Sequence, residues 1–209
     1  MVKMTKALIR RSNLKNALID AAEKMISREG LAGIRARSLA FEVGCAVGAI
    51  YNVVSDIDDL IFAVNERTLL ALERDLNAAM ARASDLSGAA LAIEKLSWMA
   101  RAYLDFAIDN GMRWRAMFDH RLAEGRAIPD RYRAGQRRLF GYIEEPLREL
   151  VPQATPERWA ILARSLFSAV HGMISLGLDE KLGAVALADL REQVAFMTAS
   201  LARGMVSGG

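Results

Sequence analysis

An all-α fold in two parts is what this sequence predicts, and three observations carry that prediction. No segment shows the period-2 run of Val, Ile, Thr and aromatic residues that a strand needs. Apolar residues instead recur at helical spacing along the whole chain. All four prolines (129, 146, 152, 156) lie beyond residue 128, so nothing in the first part breaks a helix from inside. With 209 residues, 53% hydrophobic and 25% charged, the chain can build a core of its own, and composition excludes disorder and a collagen-like chain. One domain of about 200 residues fits this length, and so does a small one of roughly 50 fused to a larger one.

The elements follow in order. Leu14, Leu18, Ala21, Ala22, Met25 and Ile26 form one face over four turns, with Ser12 or Asn13 as cap and Gly30 as stop. A short helix spans about Arg35 to Val43, Gly44-Cys45-Ala46 interrupts, and a second short piece runs from about Val47 to Val53. Ser55-Asp56-Ile57-Asp58 reads as a capping-box variant that opens a long helix to about Ala83. Helices are then expected from about Leu86 to Asn110, around Trp114–His120, and from Pro129 to about Val151, the last kinked or shortened at Pro146. Thr155-Pro156-Glu157 combines a cap, a first-turn proline and an early acid, and opens a helix to about Leu178. That helix is apolar on more than one face and needs cover on two sides. The last helix, about Ala184 to Met205, is expected to bury one stripe: Leu187, Leu190, Val194, Met197 and Leu201.

The formal net charge of +3 is unevenly spread. Residues 1–54 hold nine Lys/Arg against four acids, an excess of +5, and the remainder holds 19 bases against 21 acids, hence −2. The lone Cys45 cannot form an internal disulfide, which suits a reducing compartment. No signal peptide opens the chain, and the charge-free stretch Ser165 to Leu178 is too short for a membrane span, so a soluble, cytoplasmic protein without a membrane partner is expected. Neither His120 nor His171 stands in a metal-spaced cluster, and no metal or cofactor is expected.

Two short helices joined through Gly44, after an amphipathic helix and inside the basic quarter, fit a helix-turn-helix, whose second short helix enters the DNA major groove. Helix-Gly-helix corners also occur in many all-α proteins. The residues themselves carry more: Leu39-Ala40-Phe41-Glu42-Val43-Gly44-Cys45-Ala46-Val47-Gly48-Ala49-Ile50-Tyr51, with Asp58-Asp59-Leu60 after them, resembles the N-terminal signature of TetR-family transcriptional regulators. Farther on, 102–107, 114–118 and Phe167-Ser168-Ala169-Val170-His171-Gly172 are similar to segments of the family's Trp-His-Gly subgroup, with Phe167 where the tryptophan would stand. The resemblance implies a helix-turn-helix head over residues 1–56 and a ligand-sensing, dimerising body over 57–209. It further implies a homodimer through the last two helices, double-stranded DNA with a near-palindromic operator as partner, and repression relieved by a small hydrophobic or amphipathic effector.

Against that family pattern, the recognition helix is unusually apolar. Ala46 replaces a capping Ser or Thr that can reach a phosphate. Val47 stands where a polar or basic residue is common, leaving a thymine methyl as its best base contact. Gly48 and Ala49 permit close approach without donating a side-chain hydrogen bond. Tyr51 offers a hydroxyl to a phosphate, Asn52 an amide to a base edge or the backbone, and Ile50 faces the core. Val53, Val54 and Ile57 replace residues that usually anchor the backbone, and Asp56, Asp58 and Asp59 favour the helix N-terminus while repelling phosphate. Compensation is expected from Arg35 and Arg37, and from the basic arm Lys3, Lys6, Arg10 and Arg11, which reads equally as a solvated tail.

In the second part, Phe106, Trp114, Met117, Phe118, Phe167, His171 and Met173 are the candidate effector contacts. Each also reads as plain core, His171 as a hydrogen-bonded buried histidine. Eight arginines between 113 and 138 read as a solvated face or as a landing site for an anionic effector. Ser168 and His171 lack the strained turn and oriented acid of a hydrolase triad, so no enzyme is expected. A helical protein-interaction module with a degenerate head is the alternative function.

Overall fold

The structure, a computed structural model, describes residues 6–122, 125–179, 183 and 185–207. Lys3, Glu124 and the expected start of the last helix at Ala184 lie outside them. Among the described residues there are helices and no strands: α1 Lys6–Glu29, α2 Ala36–Val43, α3 Val47–Ile50, α4 Ile57–Met80, α5 Gly88–Asp109, α6 Gly111–Asp119, α7 Asp130–Leu150, α8 Pro156–Leu178 and α9 Leu187–Ser207. They group into two compact units, Met1–Leu69 with Asn110–Arg133, and Leu70–Asp109 with Ala134–Gly209. The border expected after residue 56 falls inside the first unit. Leu60, Ala63 and Val64 of α4 and Ala116 of α6 belong to the same core cluster as the first three helices.

That cluster is built from Leu18, Ala22 and Ile26 of α1, Leu39 and Ala40 of α2, and Ile50 of α3. Each fully buried Leu or Ile contributes about 1.5–3 kcal/mol relative to exposure. From Lys6, the first described residue, the chain is already helical, ahead of the expected caps Ser12 and Asn13. No Gly or Pro interrupts residues 6–11, which are largely strong helix formers, so the helix extends through them. Lys6, Arg10 and Arg11 are therefore exposed helical side chains, not a loose tail. The cap of α4 is displaced by one residue from expectation. Asp56 Oδ1 accepts from the Asp59 N–H at 3.0 Å, and Asp59 Oδ2 accepts from the Ser55 N–H at 2.8 Å.

In the second unit α9 packs along α5 and against α8. Thr155 caps α8 as expected, its Oγ1 accepting from the Arg158 N–H at 3.3 Å, with Pro156 in the first turn. α7 continues through Pro146 to Leu150. The stripe expected of α9 is corrected. Leu190 and Val194 are buried with Ala195, Thr198 and Ala202, whereas Leu187, Met197 and Leu201 are exposed beside Phe196. Gly177 of α8 makes room for the buried Leu190: a Cβ there would stand 2.9 Å from Leu190 Cδ1. By length and composition α8 is long and apolar enough to cross a membrane, with mean hydropathy 1.4 over 18 residues of which 22% is buried. Arg164 ends the charge-free stretch at Ser165 but does not interrupt the helix.

Candidate functional site

The corner between α2 and α3 is made by Gly44, in the left-handed region at φ 71°, ψ 39°, which glycine adopts without a steric penalty. The Cys45 N–H donates to the Ala40 carbonyl at 2.9 Å and the Gly44 N–H to the Phe41 carbonyl at 3.2 Å. This Schellman arrangement satisfies the last carbonyls of α2 and turns the chain into α3. Leu39, Ala40 and Ile50, all buried, pin both helices to the core from inside. What remains outside is the set named from sequence. Arg35 immediately before α2, Arg37 on it, and Ala46, Val47, Gly48, Tyr51 and Asn52 at α3 are all exposed.

Ala46 makes no side-chain cap on α3, as its lack of a polar atom requires. α3 is shorter than expected, ending at Ile50, and Tyr51 to Val53 form a turn. Val53 and Val54 are buried and Ile57 packs on the same cluster, so these three serve the core. One feature had no sequence signal as a surface residue: Phe41 is 88% exposed. It lies one helical turn from Arg37, hence on the same outward face of α2.

The three aspartates behind α3 are engaged. Arg126 Nη2 lies 2.5 Å from Asp56 Oδ2 and 3.7 Å from Asp59 Oδ1. His120 Nε2 lies 2.9 Å from Asp58 Oδ1, with its side chain 7% exposed and its ring edge-on to Phe62 at 5.0 Å. The repulsion expected from three bare carboxylates is thus partly offset within the unit.

Ion pairs also account for several members of the arginine-rich stretch. Arg113 Nη1 donates to Glu23 Oε1 at 2.7 Å, and Arg67 of α4 donates to Glu23 Oε2 and to Asp20 Oδ1, each at 2.7 Å, so Glu23 ties α1 to both α4 and α6. Arg131 pairs with Glu66 at 2.5 Å and, in the second unit, Arg138 with Glu73 at 3.2 Å. At least four of the eight arginines therefore face carboxylates, which fits neither a purely solvated face nor an open anion site. Tyr132, between Phe62 and the Glu66 charge, is pushed up to about 12, mainly by burial.

The candidate effector residues divide between the units. Phe106, Phe167, His171 and Met173 are in the second; Trp114, Met117 and Phe118 are in the first. In the second unit the Tyr103 hydroxyl and His171 Nδ1 lie 2.9 Å apart, and the Phe167 ring stacks on His171 at 5.5 Å. Phe140 meets Phe167 edge-on at 5.5 Å. Burial pushes His171 below its ordinary value, favouring neutral imidazole. Phe106 is buried in the same unit. In the first unit Trp114 and Phe118 pack edge-to-face at 5.7 Å. Nearby, Asn65 is 1% exposed and donates to the Ala116 carbonyl at 3.3 Å, while its Oδ1 has no hydrogen-bond partner among the described residues. Sequence reasoning missed Asn65, Tyr103 and Phe140. Tyr103 lies within the family-like segment 102–107, but its partner is 68 residues away, and Asn65 belongs to no motif.

Residues 96–201, just over half of the chain, match the family described as "Tetracyclin repressor-like, C-terminal domain". The HTH-type transcriptional regulator BetI of Brucella canis is 26% identical over 181 residues, covering 87% of this chain and 89% of that protein. A solved structure of a protein with unknown function from Rhodococcus sp. RHA1 has a TM-score of 0.71 at 22% identity, covering 91% of this chain and 94% of that one. The TetR-family transcriptional regulator PfmR of Thermus thermophilus has a TM-score of 0.59 at 16% identity, covering 89% and 97%. The two structural likenesses show the fold. The matched family's description names no Trp-His-Gly subgroup.

Proposed function

We propose how this chain works from the fact that it belongs to the TetR family of transcriptional regulators, which are not enzymes. Our reading is a homodimeric repressor, acting in the cytoplasm without a membrane partner, that binds a near-palindromic duplex operator and leaves it when a small hydrophobic or amphipathic effector binds. One observation carries the DNA-binding part: the basic and base-facing residues of α2 and α3 are turned outward by a core that buries Leu39, Ala40 and Ile50. Arg35 and Arg37 supply phosphate contacts, and the engaged aspartates oppose them less than bare carboxylates would.

For dimerisation, the support is the apolar surface on α8 and α9. Ile161, Leu176, Leu187, Phe196, Met197 and Leu201 are exposed, and a second copy of the same two helices buries such a surface in a four-helix contact. For effector sensing, we assign contacts to Phe106, Phe167, His171 and Met173 of the second unit. Neutral His171 and the Tyr103 hydroxyl are its polar groups there. Trp114, Met117 and Phe118 of the first unit are assigned likewise, with the unsatisfied Asn65 Oδ1 as an acceptor.

The exposure of Phe41 favours the second reading, a protein-interaction module with a degenerate head. A binding selection from a random-sequence duplex pool separates the two. Enrichment of a near-palindromic site supports the regulator. Failure of the folded, dimeric protein to enrich any duplex contradicts it and favours the module.

A further inference from the structure

From Gly44 to Ile50 the chain reads Gly-Cys-Ala-Val-Gly-Ala-Ile, and none of these side chains carries a nitrogen or an oxygen. Ile50 is fully buried and Ala49 half-buried, so the outward surface of α3 is Ala46, Val47 and Gly48. Nothing lies within 4 Å of where a Cβ on Gly48 would stand, leaving the backbone there open to close approach. In the major groove, base pairs are told apart by patterns of hydrogen-bond donors and acceptors, and thymine additionally by its C5-methyl group. Side chains without polar atoms cannot read the donor and acceptor code. They can discriminate only the methyl, by burying it.

We infer that α3 reads its operator through thymine C5-methyl groups packed against Val47, with Ala46 and Gly48 allowing the approach. The inference rests on the DNA-binding reading proposed above, and it makes Val47 the specificity-determining residue of the head. Val47 is 38% exposed in the free protein, so its isopropyl group is available for such burial. Tyr51 and Asn52, beyond the last turn of α3, bring the nearest polar side-chain atoms in sequence and serve the backbone or a flanking base edge.

The test uses the full chain and the duplex it enriches from a random-sequence pool. That duplex is resynthesised with deoxyuridine in place of one thymidine at a time, a change that removes only the C5-methyl group. At one or two positions in each half-site the expected loss of affinity is about fourfold per methyl. Val47→Ala is expected to bind the thymidine duplex weaker by a similar factor and to be indifferent to deoxyuridine at those same positions. Val47→Thr, which retains one methyl of the isopropyl group, should keep part of the discrimination. An enriched duplex that tolerates every deoxyuridine within about twofold overturns the inference and leaves the DNA-binding reading standing. Losses that persist undiminished in Val47→Ala also overturn it. If no duplex is enriched, the DNA-binding reading fails and the inference fails with it.

Discussion

Arg126 holds Asp56 at 2.5 Å, immediately before the helix that follows the corner between α2 and α3. Asp56 does two things there: its Oδ1 caps α4, and its Oδ2 meets the guanidinium. The pair thereby keeps a helix cap whose bare charge would oppose phosphate. Both side chains are more than a third exposed or close to it, so the effect of the pair is on binding and not on stability.

Arg126→Ala should therefore weaken duplex binding while leaving the melting temperature nearly unchanged. A carboxylate about 8 Å from a phosphate costs about half a kcal/mol in water, so uncovering Asp56 and Asp59 predicts a loss of roughly two- to fivefold at low salt. The loss should shrink as salt screens it. Fluorescence anisotropy at two salt concentrations checks this, and an affinity equal to wild type at low salt contradicts it.

Asp56 itself separates cap from charge. Asn caps a helix about as well as Asp does, so Asp56→Asn should keep the melting temperature and strengthen duplex binding by removing a negative charge. Asp56→Ala removes the cap as well and should cost about 1 kcal/mol of stability, read in denaturant unfolding. Equal stability of the two variants would show that the bond to the Asp59 N–H contributes nothing.

His171 gives the second unit a pH dependence of fixed sign. Burial lowers its folded value below the ordinary 6.5, so the unfolded chain binds the proton more readily. The stability contributed by neutral His171 is full above about pH 6.5 and is lost as pH falls below it. In His171→Gln, which keeps an acceptor for the Tyr103 hydroxyl, that loss should be absent. Melting temperatures between about pH 8 and pH 5 should fall more steeply for wild type than for the variant, and parallel curves would contradict the assignment.

Phe196, 60% exposed on α9, is the most exposed large apolar residue of the surface assigned to the second copy. Phe196→Asp should shift the protein toward monomer in sedimentation velocity and weaken binding to a two-half-site duplex by well over tenfold, because the two heads then bind independently. A dimer of wild-type stability would place the contact elsewhere.

The readable parts of the fold are those decided by local chemistry. Thr155-Pro156-Glu157 announces α8, and Gly44 announces the corner, because cap and turn residues act within a few positions. The α4 cap was legible only to within one residue. Ser55 with Asp58 and Asp56 with Asp59 satisfy the same spacing, and the structure takes the second. On α9, hydrophobic spacing found the buried Leu190 and Val194 but also chose Leu187, Met197 and Leu201, which are exposed, while Ala195, Thr198 and Ala202 complete the buried face without a large apolar side chain to announce them. The pairs that shape the candidate site lie farther out of reach. His120 meets Asp58 across 62 residues and Tyr103 meets His171 across 68, and no periodicity in one sequence links such positions.

The central claim is that DNA is held by Arg35 and Arg37 more than by an α3 whose outward side chains carry no charge. The salt dependence of binding for wild type and Arg35→Ala/Arg37→Ala, measured on the same enriched duplex, tests it most directly. Each lost phosphate contact lowers the magnitude of the slope of log affinity against log salt by about 0.9, so two contacts per protomer predict a drop of about 3.6 for the dimer. A slope unchanged in the double variant would contradict the account.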